Sequence, residues 1–179
     1  GVFRAGPDLT LEMTMILRTL ALAGMMALTG GTAVWAETVR HVQGETEITG
    51  VPEVVLVYDL ASLDNLDALG VPVAGAPVGV TMPEYLRQYA ADIGTVFEPD
   101  MEAVAAMSPD LIVVGGRSGP KHADLSRIAP TIDLTLPREG YIDAMRNNLA
   151  TLGRIFGREE QVAEQLAALD ADIAALNAQ

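Results

Sequence analysis

Arg117 lies in Gly115-Gly116-Arg117-Ser118-Gly119-Pro120-Lys121, a glycine-flanked cation that follows the apolar run Leu-Ile-Val-Val at 111–114. A guanidinium presented on such a backbone can make charge-assisted hydrogen bonds to an anionic oxygen, each worth about 1.5 to 3 kcal/mol. On sequence alone an arginine there suits a pairing with a neighbouring carboxylate equally well. The glycines invite comparison with a phosphate loop, but Pro120 stands where the glycine before the lysine belongs. Gly70, Gly75 and Gly79 miss the dinucleotide fingerprint, and no Gly-x-Ser-x-Gly elbow occurs. The chain has two histidines and no cysteine. Neither His41 nor His122 has a partner at metal-ligand spacing, which argues against a zinc or copper cage. His122, beside Lys121 at a polar helix start, reads as solvent-facing. With no catalytic set in view, binding is the chemistry to pursue.

The elements that would carry Arg117 alternate between strand and helix. Residues 54–58 (Val-Val-Leu-Val-Tyr) and 111–115 (Leu-Ile-Val-Val-Gly) are short, β-branched apolar runs of the kind buried on both faces of a parallel sheet. Residues 38–49 suggest an edge hairpin, and 71–75 and 131–134 two further strands. Ser62 is expected to cap a helix that buries Leu63, Leu66 and Leu69 and stops at Gly70. Residues 84–91 read as a short surface helix, on which Tyr85 and Tyr89 lie one turn apart and half-buried. Asp100 is expected to cap a helix through Met107, and Pro120, placed as a first helical residue, to open a crossover helix to Ile128. This order implies a mostly parallel α/β sheet with right-handed crossovers. Ligands of such sheets sit beyond the carboxyl ends of the strands, where two loops emerge, 59–62 with Leu60 and 116–119 with Arg117. Asp59 and Asp64 flank the first loop and suit capping or turn roles better than ligand contact.

Two helices close the chain. Ile142, Met145, Leu149, Leu152 and Phe156 recur at helical spacing before Gly157, and Val162, Leu166, Leu169, Ile173 and Leu176 continue from Arg158. Its repeat is too short for a coiled coil, and the stop without a C-cap suggests a helix cut through and a chain that is a fragment. At the other end, Arg18, an apolar stretch at 20–28 and small residues up to Ala36 form a secretory leader, with cleavage expected before Glu37 and a start at Met13 or Met15. Without cysteine there is neither a lipid anchor nor a disulfide, so a soluble periplasmic protein with an ordinary core is expected. The formal charge of −13 repels nucleic acid and anionic lipid.

His41-x-x-Gly44-x-Thr46, the run from Val54 through Asp59, Asp64 and Gly70, the block Ile93-Gly-Thr-Val-Phe97-Glu-Pro-Asp100-x-Glu102, Pro109-Asp-Leu-Ile112 and Gly116-Arg117 together resemble the periplasmic iron-siderophore binding proteins of ABC importers, closest to the catecholate or mixed-ligand branch. The resemblance covers nearly all of residues 37–179. It implies two α/β lobes joined by one long rigid helix: an N-terminal lobe at 37–157, the start of the interlobe helix at 158–179, and a C-terminal lobe that is absent. It implies a binding protein rather than an enzyme, no cofactor, a ferric siderophore as ligand, an inner-membrane ABC permease as partner, and a monomer. Arg117, with Gly116, Ser118, Leu60 and Val78, falls at the ligand-binding positions, with no residue bound to metal directly. Glu102 matches the glutamate that docks on the permease, with Glu98 a nearby alternative; a first-turn acid that complements the helix dipole is fully compatible with the sequence. Val78 departs from the basic residue some members carry after Gly-x-Pro, which leaves a hydroxamate, haem or another iron chelate open. The alternatives are a haem- or cobalamin-binding protein of the same scaffold and an exported α/β enzyme whose catalytic groups lie elsewhere in its chain.

Overall fold

The computed structural model describes residue 1, residues 36–79 and residues 81–178. The secretory leader read from residues 13–36 therefore lies almost wholly outside the described residues. In chain order the elements are β1 (Ala36–His41), β2 (Gly44–Thr49), β3 (Val55–Val57), α1 (Leu60–Ala68), β4 (Ala76–Pro77), a 3-10 helix (Glu84–Tyr89), β5 (Ala90–Ala91), α2 (Met101–Ala106), β6 (Leu111–Val114), a second 3-10 helix (Gly116–Lys121), α3 (His122–Leu125), β7 (Thr131–Asp133), α4 (Tyr141–Phe156) and α5 (Glu159–Asn177).

The central sheet runs β3-β6-β7, all parallel, with Val55 opposite Leu111 and Ile112 opposite Thr131. Gly75 extends it by one bridge to Leu56 beyond β3, and the Val57 amide donates to the Gly75 carbonyl at 2.9 Å. Successive strand residues face opposite sides, which splits the core in two. Val55, Val57, Leu111, Val113 and Ile132 meet Leu63 and Leu66 of α1, Leu152 and Ile155 of α4 and Val162 of α5. Leu56, Tyr58, Ile112 and Val114 meet Val104 of α2 and Leu125 of α3. Helices cover both faces, as the alternation of sequence elements requires. Each such buried aliphatic side chain contributes about 1.5 to 3 kcal/mol relative to exposure.

Three local expectations are corrected. Asp59, not Ser62, caps α1, because an extended Asp59 can turn its carboxylate onto the Ser62 amide at 2.9 Å while Ser62 sits buried inside the first turn. The expected crossover helix at 120–128 is a 3-10 turn followed by the four-residue α3, since the turn starts earlier, at Gly116, and the chain must reach β7 at Thr131 within a few residues. The surface helix expected at 84–91 is a 3-10 helix that ends at Tyr89, because Ala90–Ala91 pairs as β5, and its Tyr85 and Tyr89 hydroxyls each donate at 2.6 Å to α1 carboxylates, Asp64 and Asp67. Tyr85 stays exposed, while Tyr89 packs partly against the core. Asp100 caps α2 as expected, accepting from the Glu102 and Ala103 amides at 3.0 Å. The antiparallel β1–β2 hairpin matches the expected edge element and contributes Val39 and Ile48 to the core.

Candidate functional site

Because β3, β6 and β7 are parallel, the turns that follow them leave from one edge of the sheet. After β3 comes Asp59-Leu60, after β6 Gly115-Gly116-Arg117, and after β7 Leu134-Thr135. The first two turns touch closely: a Cβ on Gly115 would stand 2.9 Å from the Asp59 Cγ, so only glycine lets them meet. Gly116 has φ +52°, in the left-handed region that costs other residues strain, and it redirects the chain so that Arg117 leaves the sheet edge.

Arg117 is exposed at the rim of a hollow of about 60 Å³ whose walls include Tyr58, Leu60, Leu63, Pro77, Met82 and Val96. The floor is apolar and its one cation is Arg117, while the wall carries the Asp59 carboxylate. Its Oδ2 caps α1, accepting from the Ser62 amide at 2.9 Å and the Ser62 hydroxyl at 2.7 Å. Among the described residues, no ion pair engages Arg117. Of the two sequence readings of this arginine, pairing with a neighbouring carboxylate is thus unsupported. Tyr58 is buried, and its hydroxyl donates to the Ile93 carbonyl at 2.7 Å. Burial, and secondarily the Asp100 carboxylate, push its phenol well above the ordinary range, so it remains a neutral donor that anchors the hollow's wall.

Sequence-predicted residues divide around this hollow. Arg117 and Leu60 line it. Gly116 forms the bend beneath Arg117. Ser118 is fully buried, and its hydroxyl donates to the Gly115 carbonyl and accepts from the Gly115 amide, both at 3.0 Å, so it fastens the turn from inside rather than facing the hollow. Val78 is 41% exposed and follows Pro77, which is the residue that reaches the lining. Glu102 is exposed on the first turn of α2, and the preceding 94–99 turn contributes Val96 to the same hollow. Sequence reasoning missed Pro77, Met82 and Val96, which show no periodic signal because they come from irregular segments. It also missed Asp133 and Thr135, whose only signal is a charge inside the apolar strand Thr-Ile-Asp-Leu at 131–134.

A larger open groove of about 640 Å³ lies between the hairpin and α4. Its arginines are engaged: Arg40 Nε lies 2.7 Å from Glu45, and Arg154 Nε 3.1 Å from Glu37. His122 is not solvent-facing: its ring is 5.0 Å from that of His41, and its Nε2 lies 3.0 Å from the Thr131 carbonyl, which requires Nε2 to donate. The Gln43 amide donates to His41 Nδ1 at 3.2 Å, leaving His41 Nε2 to donate to the Thr46 hydroxyl at 2.8 Å. Burial and the neighbouring His122 lower the His41 pKa, and Asp133 opposes them. Among the described residues no group of three or more His, Cys, Asp or Glu gathers to hold a metal, and no helix is long and apolar enough to cross a membrane.

A parallel sheet between helical layers thus carries at its carboxyl edge an apolar hollow and an arginine with no ion-pair partner among the described residues. The family model described as periplasmic binding protein matches residues 55–179, and the chain belongs to that family of exported binding proteins. It is similar to the petrobactin-binding protein YclQ of Bacillus subtilis, 38% identical over 145 residues that make up 76% of this chain and 45% of that protein. The ferric-anguibactin-binding protein FatB of Vibrio anguillarum is 30% identical over 144 residues, 75% of this chain and 44% of its own. The solved structure of the periplasmic catecholate-siderophore binding protein VctP of Vibrio cholerae superposes with a TM-score of 0.74 at 31% identity, covering 79% of this chain and 52% of that one. The chain spans about half the length of the relatives it matches.

Proposed function

We propose that this chain is the N-terminal lobe and the start of the interlobe helix of a periplasmic substrate-binding protein that captures a ferric siderophore and hands it to an inner-membrane ABC permease, without chemistry on the ligand. The observation that carries this reading is Arg117, exposed and without an ion-pair partner among the described residues, beside an apolar hollow at the carboxyl edge of the sheet. A hollow of about 60 Å³ is far smaller than the roughly 300 to 1,000 Å³ of a small-molecule site. It suits one wall of a cleft whose opposing wall comes from a second lobe. An apolar floor with one cation fits a chelate that offers aromatic rings and metal-bound anionic oxygens, as catecholate and mixed-ligand siderophores do. Two relatives are named for petrobactin and ferric anguibactin, which supports the same class here. Iron travels inside the chelate, so the lobe needs no metal ligands of its own. The leader read from the sequence, an apolar stretch at 20–28 followed by small residues, supports export to the periplasm.

Glu102 is the residue for docking on the permease. It is exposed at the start of α2, next to the cleft rim, and its interaction with the helix dipole contributes only about 0.3 to 1 kcal/mol. Glu102→Ala is therefore expected to retain chelate binding and abolish uptake in cells; normal uptake removes the docking role. For the ligand, calorimetric titration of the full-length gene product with ferric petrobactin, ferric anguibactin and ferric citrate tests the reading. Saturable binding of a catecholate-bearing chelate is expected. Failure of all three, with binding of haem or cobalamin, overturns the ligand class.

A further inference from the structure

Asp133 ends β7 with 1% of its surface exposed, between Ile132 and Leu134, which are buried as well. A carboxyl group in such surroundings needs donors, and no ion pair among the described residues supplies a cation. Its donors are neutral. The Thr135 amide reaches Oδ1 at 2.9 Å, the Thr135 hydroxyl reaches the same oxygen at 2.5 Å, and Gln43 Nε2 reaches Oδ2 at 3.0 Å from the β1–β2 turn.

A hydroxyl has one proton, and Thr135 directs it at Asp133, so its oxygen is left to accept. What it accepts is the amide of Gly116, at 2.8 Å. Gly116 is the left-handed bend that immediately precedes Arg117. The far side of the same turn rests on the same acid. A Cβ at Gly119 would stand 2.9 Å from Asp133 Oδ2 and 3.2 Å from Thr135 Oγ1, and Gln43 Nε2 also reaches the Gly119 carbonyl at 3.4 Å. The buried Asp133 side chain thus reaches the turn at Gly116 through Thr135 and at Gly119 through Gln43, and the chain of bonds from Gly116 through Thr135 to Asp133 polarises in one direction.

We infer that Asp133 and Thr135, braced by Gln43 of the N-terminal hairpin, are positioning residues that set where Arg117 enters the cleft, an inference that rests on the reading of Arg117 as a ligand-binding group. The long arginine side chain needs a fixed base if its guanidinium is to meet an anionic oxygen without a large ordering cost. The Asp133–Thr135 pair provides that base, and the hairpin, whose Val42 amide also donates to the Asp133 carbonyl at 3.2 Å, braces it.

The test uses the full-length protein and two readouts. In the first, dissociation constants for ferric petrobactin, ferric anguibactin and ferric citrate are compared among wild type, Thr135→Val, Thr135→Ser, Arg117→Ala and the Arg117→Ala/Thr135→Val double variant. Loss of one net hydrogen bond's worth of positioning predicts roughly fivefold weaker binding for Thr135→Val, recovery in Thr135→Ser, and no further loss when Thr135→Val is added to Arg117→Ala. Full additivity in the double variant overturns the inference, because a purely structural role acts whether or not Arg117 is present. In the second, a nitroxide is attached at Arg117→Cys, with a control at Arg87→Cys. Thr135→Val is expected to increase mobility at 117 and leave 87 unchanged; equal mobility at 117 overturns the inference without needing any ligand. An Arg117→Ala protein that binds like wild type removes the ligand-site reading instead, so the two failures are told apart.

Discussion

The turns that follow β3 and β6 leave the same edge of the sheet and touch at Gly115, yet they treat their charged residues in opposite ways. Asp59 folds its carboxylate back onto Ser62 and caps α1. Arg117 makes no ion pair among the described residues, although Asp59 lines the same hollow. Ser118, the residue after it, turns inward and bonds both backbone groups of Gly115, so the polar atoms of this turn serve its shape and the charge alone faces out. One charge is used locally to cap a helix, and the other is left exposed at the rim.

The contrast can be broken at the contact itself. Gly115→Val would place a side chain against Asp59 where 2.9 Å separates a modest Cβ from Cγ. Overpacking of this kind costs about 1 to 3 kcal/mol. Denaturant unfolding should register that loss, and because both turns are pushed apart, chelate binding should weaken with it; a variant as stable as wild type would mean the turns do not bear on each other.

Asp59→Ala sharpens the contrast from one side. Removing the cap should lower stability by about 1 kcal/mol while leaving chelate affinity nearly unchanged, since the carboxylate already serves the backbone. A large affinity loss with stability intact would reverse the roles assigned to the two turns.

A smaller effect is expected from pH. His41 accepts the Gln43 amide on Nδ1, and burial and His122 hold its pKa below the ordinary histidine value of about 6.5. Its contribution is therefore complete above about pH 6.5 and is lost as pH falls through the depressed folded-state value, because the unfolded chain takes up the proton first. Protonation would evict the Gln43 amide and set a charge 5.0 Å from His122. Thermal unfolding should show a midpoint that falls on acidification in wild type and falls less in His41→Gln; parallel curves would contradict this.

Much of the scaffold can be read directly from residue order. The runs at 54–58 and 111–115 are short, β-branched and uninterrupted, and both became buried parallel strands because nothing in them competes with that outcome. Asp100 was legible as a cap because its partners are two and three residues away. Arg117 was legible as a rim cation from the strand that precedes it. What escaped depends on partners far along the chain. The pairing of His122 with His41, the turn of Ser118 into the core, and the hold of Gln43 on Asp133 across 90 residues are tertiary facts that no local spacing encodes. The shortened helix at 122–125 escaped for a related reason: the distance left before β7 decides its length, and Pro120 only suggests its start.

The central claim is that the guanidinium of Arg117 is free to meet a metal-bound anionic oxygen. Titration of ferric petrobactin, ferric anguibactin and ferric citrate into full-length wild type and Arg117→Ala tests it most directly. Loss of one charge-assisted bond, about 1.5 to 3 kcal/mol, predicts roughly ten- to hundredfold weaker binding of the chelate that wild type holds best, with an unchanged unfolding midpoint. Equal affinity in the two proteins would contradict the account.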